Sequence, residues 1–319
     1  MTPENIALAV QEVLTSIKAS SQPASEILNT YTRARRYIGS KDRRTITTAV
    51  WEALRAQPWP EWLNKLIPEA EKKALKTEAK TILRANGERS TIQAELKAEG
   101  IETTVTQLSP FGLVLTKRVP LGALATYRNG HVEVQDEGSQ LIALATKIRA
   151  GENVLDYCAG AGGKSLCFAQ MMKNQGQIVA HDISNQSLNE LKKRAKRAGV
   201  SIIKVEKCPH GTFQHVVVDA PCSGSGTWRR SPDAPFKLTP KMWKDIQKKQ
   251  AHILDEAQAF VAKGGMLHYM TCSLLEDENQ GQMRAFLKRY PDFKLIHHQQ
   301  WTPAKQATDG FFLATFQKI

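Results

Sequence analysis

The chain has 319 residues, 41% of them hydrophobic, enough to pack two or three domains. Against 31 acidic residues it carries 44 basic ones, and the net charge of +13 points to a polyanionic partner, most simply nucleic acid. No apolar run reaches membrane-spanning length, Met1-Thr-Pro-Glu-Asn5 lacks a secretion signal, and five cysteines without a Cys-x-x-Cys pair exclude a disulfide scaffold and structural zinc. The expectation is a cytoplasmic protein with free thiols and no metal.

Residues 1–75 read as all-helical, because Ile6, Ala7, Val10, Val13, Leu14 and Ile17, and then Ile46, Val50 and Leu54, recur at helical spacing. Between them Arg33 to Arg44 is a basic stretch in which Arg35, Arg36 and Arg43 are candidate RNA contacts, or else an exposed charged turn, and Ser40 is a candidate helix cap. Residues 76–130 form a second unit, a small α/β insert: Thr81 to Asn86 and Gly112 to Thr116 are strand-like and flank a helix from Thr91 to Gly100. The third unit, 131–319, begins with the strand Val132–Val134 and a helix from Gln140 to Ile148. From residue 150 the rhythm is strand, glycine loop, helix: strands at Val154–Asp156, Ile178–Ala180, Val216–Val218 and Met266–Met270, with helices from Lys164, from Gln186 to Ala198 and between Pro240 and Lys263. That alternation predicts a parallel, doubly wound sheet with right-handed crossovers. Gly310 to Phe316 is a bulky apolar strand, expected antiparallel at the sheet's border. Lysines on the predicted helices, Lys192 and Lys193 or Lys241, Lys244 and Lys248, read equally as a polyanion surface or as solvated faces.

Three strand ends carry chemistry. Val216-Val-Val218 is a short, fully apolar strand that exits through Asp219-Ala-Pro221-Cys222-Ser-Gly-Ser-Gly226, and ligands in open α/β sheets sit beyond the carboxyl ends of strands. A second thiol, Cys272 in Thr271-Cys272-Ser273, follows another apolar strand. Upstream, Asp156-Tyr-Cys158-Ala159-Gly160-Ala161-Gly162-Gly163-Lys164 opens a helix. It fails both the phosphate-loop spacing and the dinucleotide fingerprint, but permits close backbone approach, with a helix N-terminus facing a carboxylate. The next strand ends in His181-Asp182, whose carboxylate suits a ribose diol. A ribose-bearing cofactor with a carboxylate tail and no pyrophosphate indicates S-adenosylmethionine. His181, His215 and His268 flank buried strands and read as structural, as do Cys167 and Cys208; Cys158 is expected to line the cofactor loop through its backbone.

Taken together, Asp156-x-Cys158-Ala-Gly-Ala-Gly-Gly-Lys164, Asp219-Ala-Pro-Cys222-Ser-Gly-Ser-Gly and Thr271-Cys272-Ser273 with Glu278-Asn279 resemble the Sun/Fmu-type RNA (cytosine-5) methyltransferases. The similarity continues through Arg230-x-Pro232-Asp233, Asp309-Gly-Phe-Phe312, Leu83-Arg84-x-Asn86 and Gln135-Asp136-x-x-Ser139, and Ile38 to Arg44 resembles part of that family's NusB-like helical RNA-binding domain. The resemblance implies a Rossmann-like S-adenosylmethionine-dependent methyltransferase sheet with an N-terminal helical domain and a small α/β insert. It implies an RNA substrate, ribosomal RNA first, and a monomer. Two positions depart from the pattern: Gly160-Ala161 replaces the usual Ala-Pro, and Lys204-Val-Glu206-Lys207-Cys208-Pro209 replaces the usual Gly-Asp, leaving Glu206 as the one possible substitute on the adenine side.

For that family the chemistry is a thiolate adding at carbon 6 of cytosine, which turns carbon 5 into a nucleophile for the sulfonium methyl group. DNA cytosine-5 methyltransferases attack with the Pro-Cys cysteine, whereas the RNA family attacks with the Thr-Cys-Ser one. The resemblance therefore assigns Cys272 as nucleophile and Cys222 as the residue that assists release. Lys164 would raise the thiolate fraction, and Asp219 would bond the base edge while also lining the cofactor loop. Arg230, Pro221, Trp228 and Phe236 are candidates to grip or stack on an unpaired cytosine, with core packing the alternative for the two aromatics. Two further readings stay open: a transfer RNA substrate, and a catalytically weakened RNA-binding assembly factor that lacks the second acidic residue.

Overall fold

The computed structural model describes residues 1–319. Three helices, Pro3–Ala19, Ala24–Ala34 and Ser40–Ala56, bury Ala9, Val13, Ile17, Ile27, Leu28, Ile46, Val50 and Leu54 against one another, as the 3.6-residue spacing of these side chains requires. Gly39 rather than Ser40 is the cap of the third helix, and it makes no side-chain cap bond. Two short helices, Glu61–Asn64 and Glu69–Leu75, then carry Trp59, Leu63, Ile67 and Leu75 onto the large sheet unit, where they pack with Trp228, Leu238 and Leu275. The 1–75 unit is thus helical as expected, and its last third is cemented to the sheet domain.

The middle unit is a four-stranded antiparallel sheet of β1 (Ile82–Ala85), β2 (Thr103–Val105), β3 (Gly112–Leu115) and β4 (Val132–Val134) in the order β2-β3-β1-β4, backed by the helix Arg89–Ala98. Because β4 pairs with β1 (Leu83 opposite Val134), the boundary lies beyond 134 and not at 130. Three residues of alternating pattern do not say which sheet they join; partner strands decide it.

The large unit holds a seven-stranded sheet: β5 (Asn153–Asp156), β6 (Gln177–Ala180), β7 (Ile203–Val205), β8 (Phe213–Asp219), β9 (Val261–Thr271), β10 (Phe293–Trp301) and β11 (Phe311–Lys318), ordered β10-β11-β9-β8-β5-β6-β7. Strands β5 to β9 are parallel, while β11 runs antiparallel between β9 and β10. The predicted border strand is therefore one place inside the edge. β10, whose mixed sequence Phe293-Lys-Leu-Ile-His-His-Gln-Gln-Trp301 gives no clean alternation, covers it.

Val216 and Val218 point into one helix layer, with Ile253, Leu254, Met283 and Phe286, while Val217 points into the other, with Ile142, Cys167 and Phe168. Burial on both faces explains why the strand reads as a continuous β-branched run. The chain winds outward from β5 through β6 to β7, then crosses back to β8 on β5's other side. The loops after β5 and β8 therefore flank the topological switch point, where α/β sheets bind ligands. No helix is long and apolar enough to cross a membrane.

Candidate active site

The glycine turn after β5 is built for backbone exposure. Gly160 (φ +53°) and Gly162 (φ +82°) adopt left-handed conformations, and a Cβ on Gly162 would lie 2.5 Å from Leu191 Cγ. Gly160 and Gly163, in contrast, have no heavy atom within 4 Å of their Cβ positions, so open space lies over the turn. Asp182, at the end of β6, accepts the Gly160 amide at 2.8 Å and the Ser184 amide at 2.8 Å. Its neighbour Ile183 is 84% exposed. An aliphatic side chain held in water beside a carboxylate that could accept a diol offers a shelf for a flat base. The sequence reading passed over Ile183, although an isoleucine directly after a strand-end acid is the signal. These groups fit an adenosyl ligand: a bare backbone for its tail, Asp182 for the ribose, Ile183 for the ring. Glu206 follows β7, with its Oε1 on Lys204 Nζ at 2.6 Å.

Asp156 is not on this surface. It is fully buried beneath the turn, where it accepts Ser165 Oγ at 2.6 Å, and its second oxygen has no partner. Burial raises its pKa from 3.8 to about 7. Expected to line the loop, its carboxyl instead lies beneath it, bonded to Ser165 at the start of the helix Gly163–Met171. Two further supports come from outside the loop. Arg194 donates to Ala161 O at 2.7 Å while paired with Glu133 of β4 at 3.0 Å. Gln135, held by the buried Arg84 at 2.7 Å, donates to Gly163 O at 3.3 Å. The small insert thus grips both sides of the cofactor turn, a role that spacing along the chain did not reveal for Glu133 or Arg194.

The two strand-end cysteines converge: Cys222 Sγ and Cys272 Sγ are 3.3 Å apart. Adjacent parallel strands, β8 and β9, put their exit loops side by side, and a web of bonds sets the spacing. Gly226 N donates to Cys272 O at 2.9 Å, Gly310 N donates to Gly226 O at 2.8 Å, and Leu274 N donates to Ser225 Oγ at 2.8 Å. Glu278 accepts the Ser223 amide at 2.8 Å and the Gln250 amide at 3.1 Å. Gln250 also donates to Pro221 O, and burial pushes the Glu278 carboxyl up. Asn279 accepts Thr271 Oγ1 at 2.5 Å and donates to Ser273 O at 2.8 Å. The glycines of the Ser-Gly-Ser-Gly run therefore serve loop-on-loop packing at Gly226, and only Gly224 (φ +67°) is a conformational requirement.

Beside the sulfurs, Lys164 Nζ donates to Asp219 Oδ2 at 2.5 Å and lies 5.4 Å from the centre of the Phe311 ring. Burial on its own would depress the Lys164 ammonium, but the Asp219 carboxylate, its hydrogen bond and the nearby Cys272 outweigh it and raise the pKa. The lysine is held charged. Cys222 moves the other way: its hydrogen bond with Cys272 and its burial push its thiol well up, so it stays protonated. Burial does the same to the Cys158 thiol, which packs beside the turn.

Beyond Cys222 opens a cleft of about 350 Å³ lined by Ser223, Lys237, Met242 and Ile246 of the sheet domain and by Pro23 and Trp51 of the helical domain. Asp233 closes its back, accepting the buried Ala24 amide at 3.0 Å and Lys237 Nζ at 2.7 Å. Of the expected substrate contacts, Arg230 lines this cleft, whereas Trp228, Phe236 and Arg35 lie away from it. Arg230 is clamped by Asp309 (2.5 Å) and Asp136 (2.7 Å) and donates to Lys80 O, so it edges the cleft as part of an ion network that joins three segments. Trp228 is 1% exposed, edge-on to Trp59 at 5.2 Å, and belongs to the core, and Phe236 packs against that same cluster. Arg35 stacks on Tyr31 (3.7 Å) and pairs with Glu12, lining a separate groove between the first two helices. Arg36 and Arg43 are exposed, the latter with its Nε on Ile38 O. Pro221 is exposed directly before Cys222. Cys208 is also exposed, which removes it from the structural set; Cys167 is fully buried. His215 and His268 bond each other at 3.0 Å.

Residues 143–317 match the family model described as 16S rRNA methyltransferase RsmB/F. The chain is 33% identical over 268 residues to the probable ribosomal RNA small subunit methyltransferase B of Bacillus subtilis, covering 75% of this chain and 60% of that protein. With ribosomal RNA small subunit methyltransferase B of Salmonella typhi the identity is 33% over 66% of this chain and 52% of that protein. The chain thus spans somewhat over half the length of these relatives. Two solved structures share the fold. A methyltransferase homolog protein from Pyrococcus horikoshii matches with a TM-score of 0.68 at 24% identity, over 78% of this chain and 90% of that one. NSun6 from the same organism, crystallised with SFG, matches with a TM-score of 0.72 at 20% identity, over 83% and 97%.

Proposed function

This chain belongs to the 16S rRNA methyltransferase RsmB/F family, and from that premise we propose that it methylates carbon 5 of a cytosine in small-subunit ribosomal RNA through a covalent adduct with Cys272. The carrying observation is the 3.3 Å approach of two thiols from neighbouring strand ends, beside a charged lysine and an open glycine turn. S-adenosylmethionine, when bound, supplies an electrophilic methyl group; the residues for it are the Gly160–Gly163 turn, Asp182 and Ile183.

The protein's own part is to make carbon 5 nucleophilic. The Cys272 thiolate adds to carbon 6, forming the Sγ–C6 bond and moving the ring electrons toward carbon 5. Asp219, oriented by Lys164, bonds the base edge where charge develops. After methylation the carbon 5 proton passes to a solvent water, the C5–H electron pair re-forms the C5=C6 bond, and the Sγ–C6 pair leaves with the Cys272 sulfur, restoring the aromatic ring. Cys222, held as a thiol within reach of the leaving sulfur, assists that step. The resemblance of Thr271-Cys272-Ser273 to the family's attacking motif favours Cys272 as the attacking group.

The test uses the full chain with small-subunit ribosomal RNA and, separately, transfer RNA. Cys222→Ala should accumulate an RNA–protein adduct that survives denaturing electrophoresis, and Cys272→Ala should form none and transfer no methyl group. Bisulfite sequencing locates the modified cytosine. Adduct from Cys272→Ala but not from Cys222→Ala would reverse the assignment, and modification of transfer RNA alone would change the substrate.

A further inference from the structure

The helix Ser40–Ala56 has a second face that the fold covers only in part, Trp51 resting one edge against the helical core. Ile46, Val50 and Leu54 point into the helical core. On the other side Lys41, Arg44, Thr48, Trp51 and Arg55 recur at alternating spacings of three and four, which stacks them along one stripe. Lys41, Arg44 and Thr48 are exposed and Trp51 is half-buried. The Arg55 Nε is turned inward without a hydrogen-bond partner. Acids are turned aside or stand at the margin: Asp42 holds the terminal ammonium group at 2.9 Å, and Glu52 lies at the stripe's edge. The stripe leads somewhere, because Trp51 is itself a wall of the cleft that contains Cys222. Across that cleft Met242 and Ile246 stand at helical spacing on Pro240–Ala257, with Lys249 one turn further on. Lys237 adds a cation on the floor.

Cations leading to an aromatic platform, beside an apolar wall, is the arrangement that holds single strands: charge tracks the phosphates and a ring stacks the base. We propose that this face of the helix Ser40–Ala56 carries single-stranded RNA into the cleft, with Trp51 stacking on a nucleotide that flanks the target base. The inference rests on the methyltransferase reading for the identity of the target. It shifts the helical domain's RNA contact from the turn around Arg35 to a stripe continuous with the active site. Both walls are fixed relative to each other, since Asp233 and Lys237 bond the Gln22–Ala24 backbone. The flanking nucleotide therefore meets a preformed slot, and the helical domain takes part in choosing the sequence around the target.

The experiment titrates a fluorescein-labelled single-stranded RNA oligonucleotide against the full chain, with polarisation as the readout over a range of salt. Trp51→Ala should weaken binding by about 10-fold or more, from the loss of one base stack, and Trp51→Phe should restore most of it. Lys41→Gln with Arg44→Gln, both at exposed positions, should reduce the slope of log affinity against log salt by about 1.4, two single-strand phosphate contacts. Calorimetric affinity for S-adenosylhomocysteine should not move in any of the variants. If Trp51→Ala lowers the melting temperature, the Phe variant and the two surface substitutions decide. Wild-type affinity in Trp51→Ala, or an unchanged salt slope in the double variant, overturns the proposal. A wild-type protein that binds this RNA yet methylates none would instead refute the function proposed above and leave the stripe standing.

Discussion

Gly226→Ala tests whether the Cys222 loop is held against the Asp309-Gly310 segment by contact rather than by conformational freedom. Gly226 carries no left-handed φ, so alanine meets no backbone strain there. Its Cβ would, however, stand 2.2 Å from Gly310 O and 2.6 Å from Gly310 C and Cα. Ordinary contact begins at 3.4 Å, so loop and segment must part by about 1.2 Å. That movement stretches the Gly310 N to Gly226 O bond at 2.8 Å and, as the Cys222 loop shifts, the Gly226 N to Cys272 O bond at 2.9 Å. Two hydrogen bonds at about 1 kcal/mol each, added to an overpacking cost of about 1–3 kcal/mol, give roughly 3–5 kcal/mol of destabilisation. Because Gly226 N also bonds Cys272 O, displacing the Cys222 loop should shift the Cys222 sulfur relative to Cys272, and a misplacement of about 1 Å costs turnover on the order of 100-fold. Urea denaturation followed by tryptophan fluorescence reads the first effect, and methyl transfer at saturating RNA reads the second. A variant within about 0.5 kcal/mol of the wild type would show that loop and segment yield freely, and the account of how the thiols are spaced would fall.

The remaining predictions concern the glycine turn. Gln135→Leu keeps the apolar stem but removes the donor to Gly163 O and the acceptor for Arg84. It should weaken S-adenosylhomocysteine binding by about 10-fold in calorimetry, and affinity equal to the wild type would show that the insert does not shape the turn. Asp156, with a pKa raised to about 7 against 3.8 in the unfolded chain, keeps its proton in the fold where the unfolded chain has lost it. The wild type is therefore unpenalised below pH ~3.8 and loses stability as pH rises to about 7, by at most roughly 1.4 kcal/mol per unit. Asp156→Asn removes this titration, so its stability relative to the wild type should climb between pH 5 and pH 7 and then level off. Parallel stability curves for the two proteins would contradict the buried, protonated carboxyl.

Much of the architecture was legible because it rests on periodicity. The helical spacing in residues 1–75, the β-branched run at Val216–Val218 and the alternation after residue 150 are direct consequences of which faces must be buried, so fold class follows from them. The candidate site was legible at strand ends for the same reason: Cys222, Cys272, Asp182 and the Gly160–Gly163 turn occupy positions where parallel strands deliver loops to one edge. Local pattern did not extend to partners. Arg230 looked like a free cation beside the catalytic loop, and only the fold brings Asp136 and Asp309 to it. Trp228 looked available for stacking, and Trp59, far away in sequence, buries it. The edge strand β10 escaped because an edge position does not impose alternation.

What the amino-acid order alone determined is most of the helices and buried strands and the candidate groups at their ends, since burial periodicity and strand-end chemistry are written in neighbouring residues. Tertiary structure decided the distances: two sulfurs at 3.3 Å, an ammonium against Asp219, a helical domain whose Trp51 walls the catalytic cleft, and a small insert whose Glu133 and Gln135 brace the cofactor turn. Those pairings join residues tens to hundreds of positions apart, through interactions that act over a few ångströms. Only the packed chain can specify which of many compatible partners each residue meets.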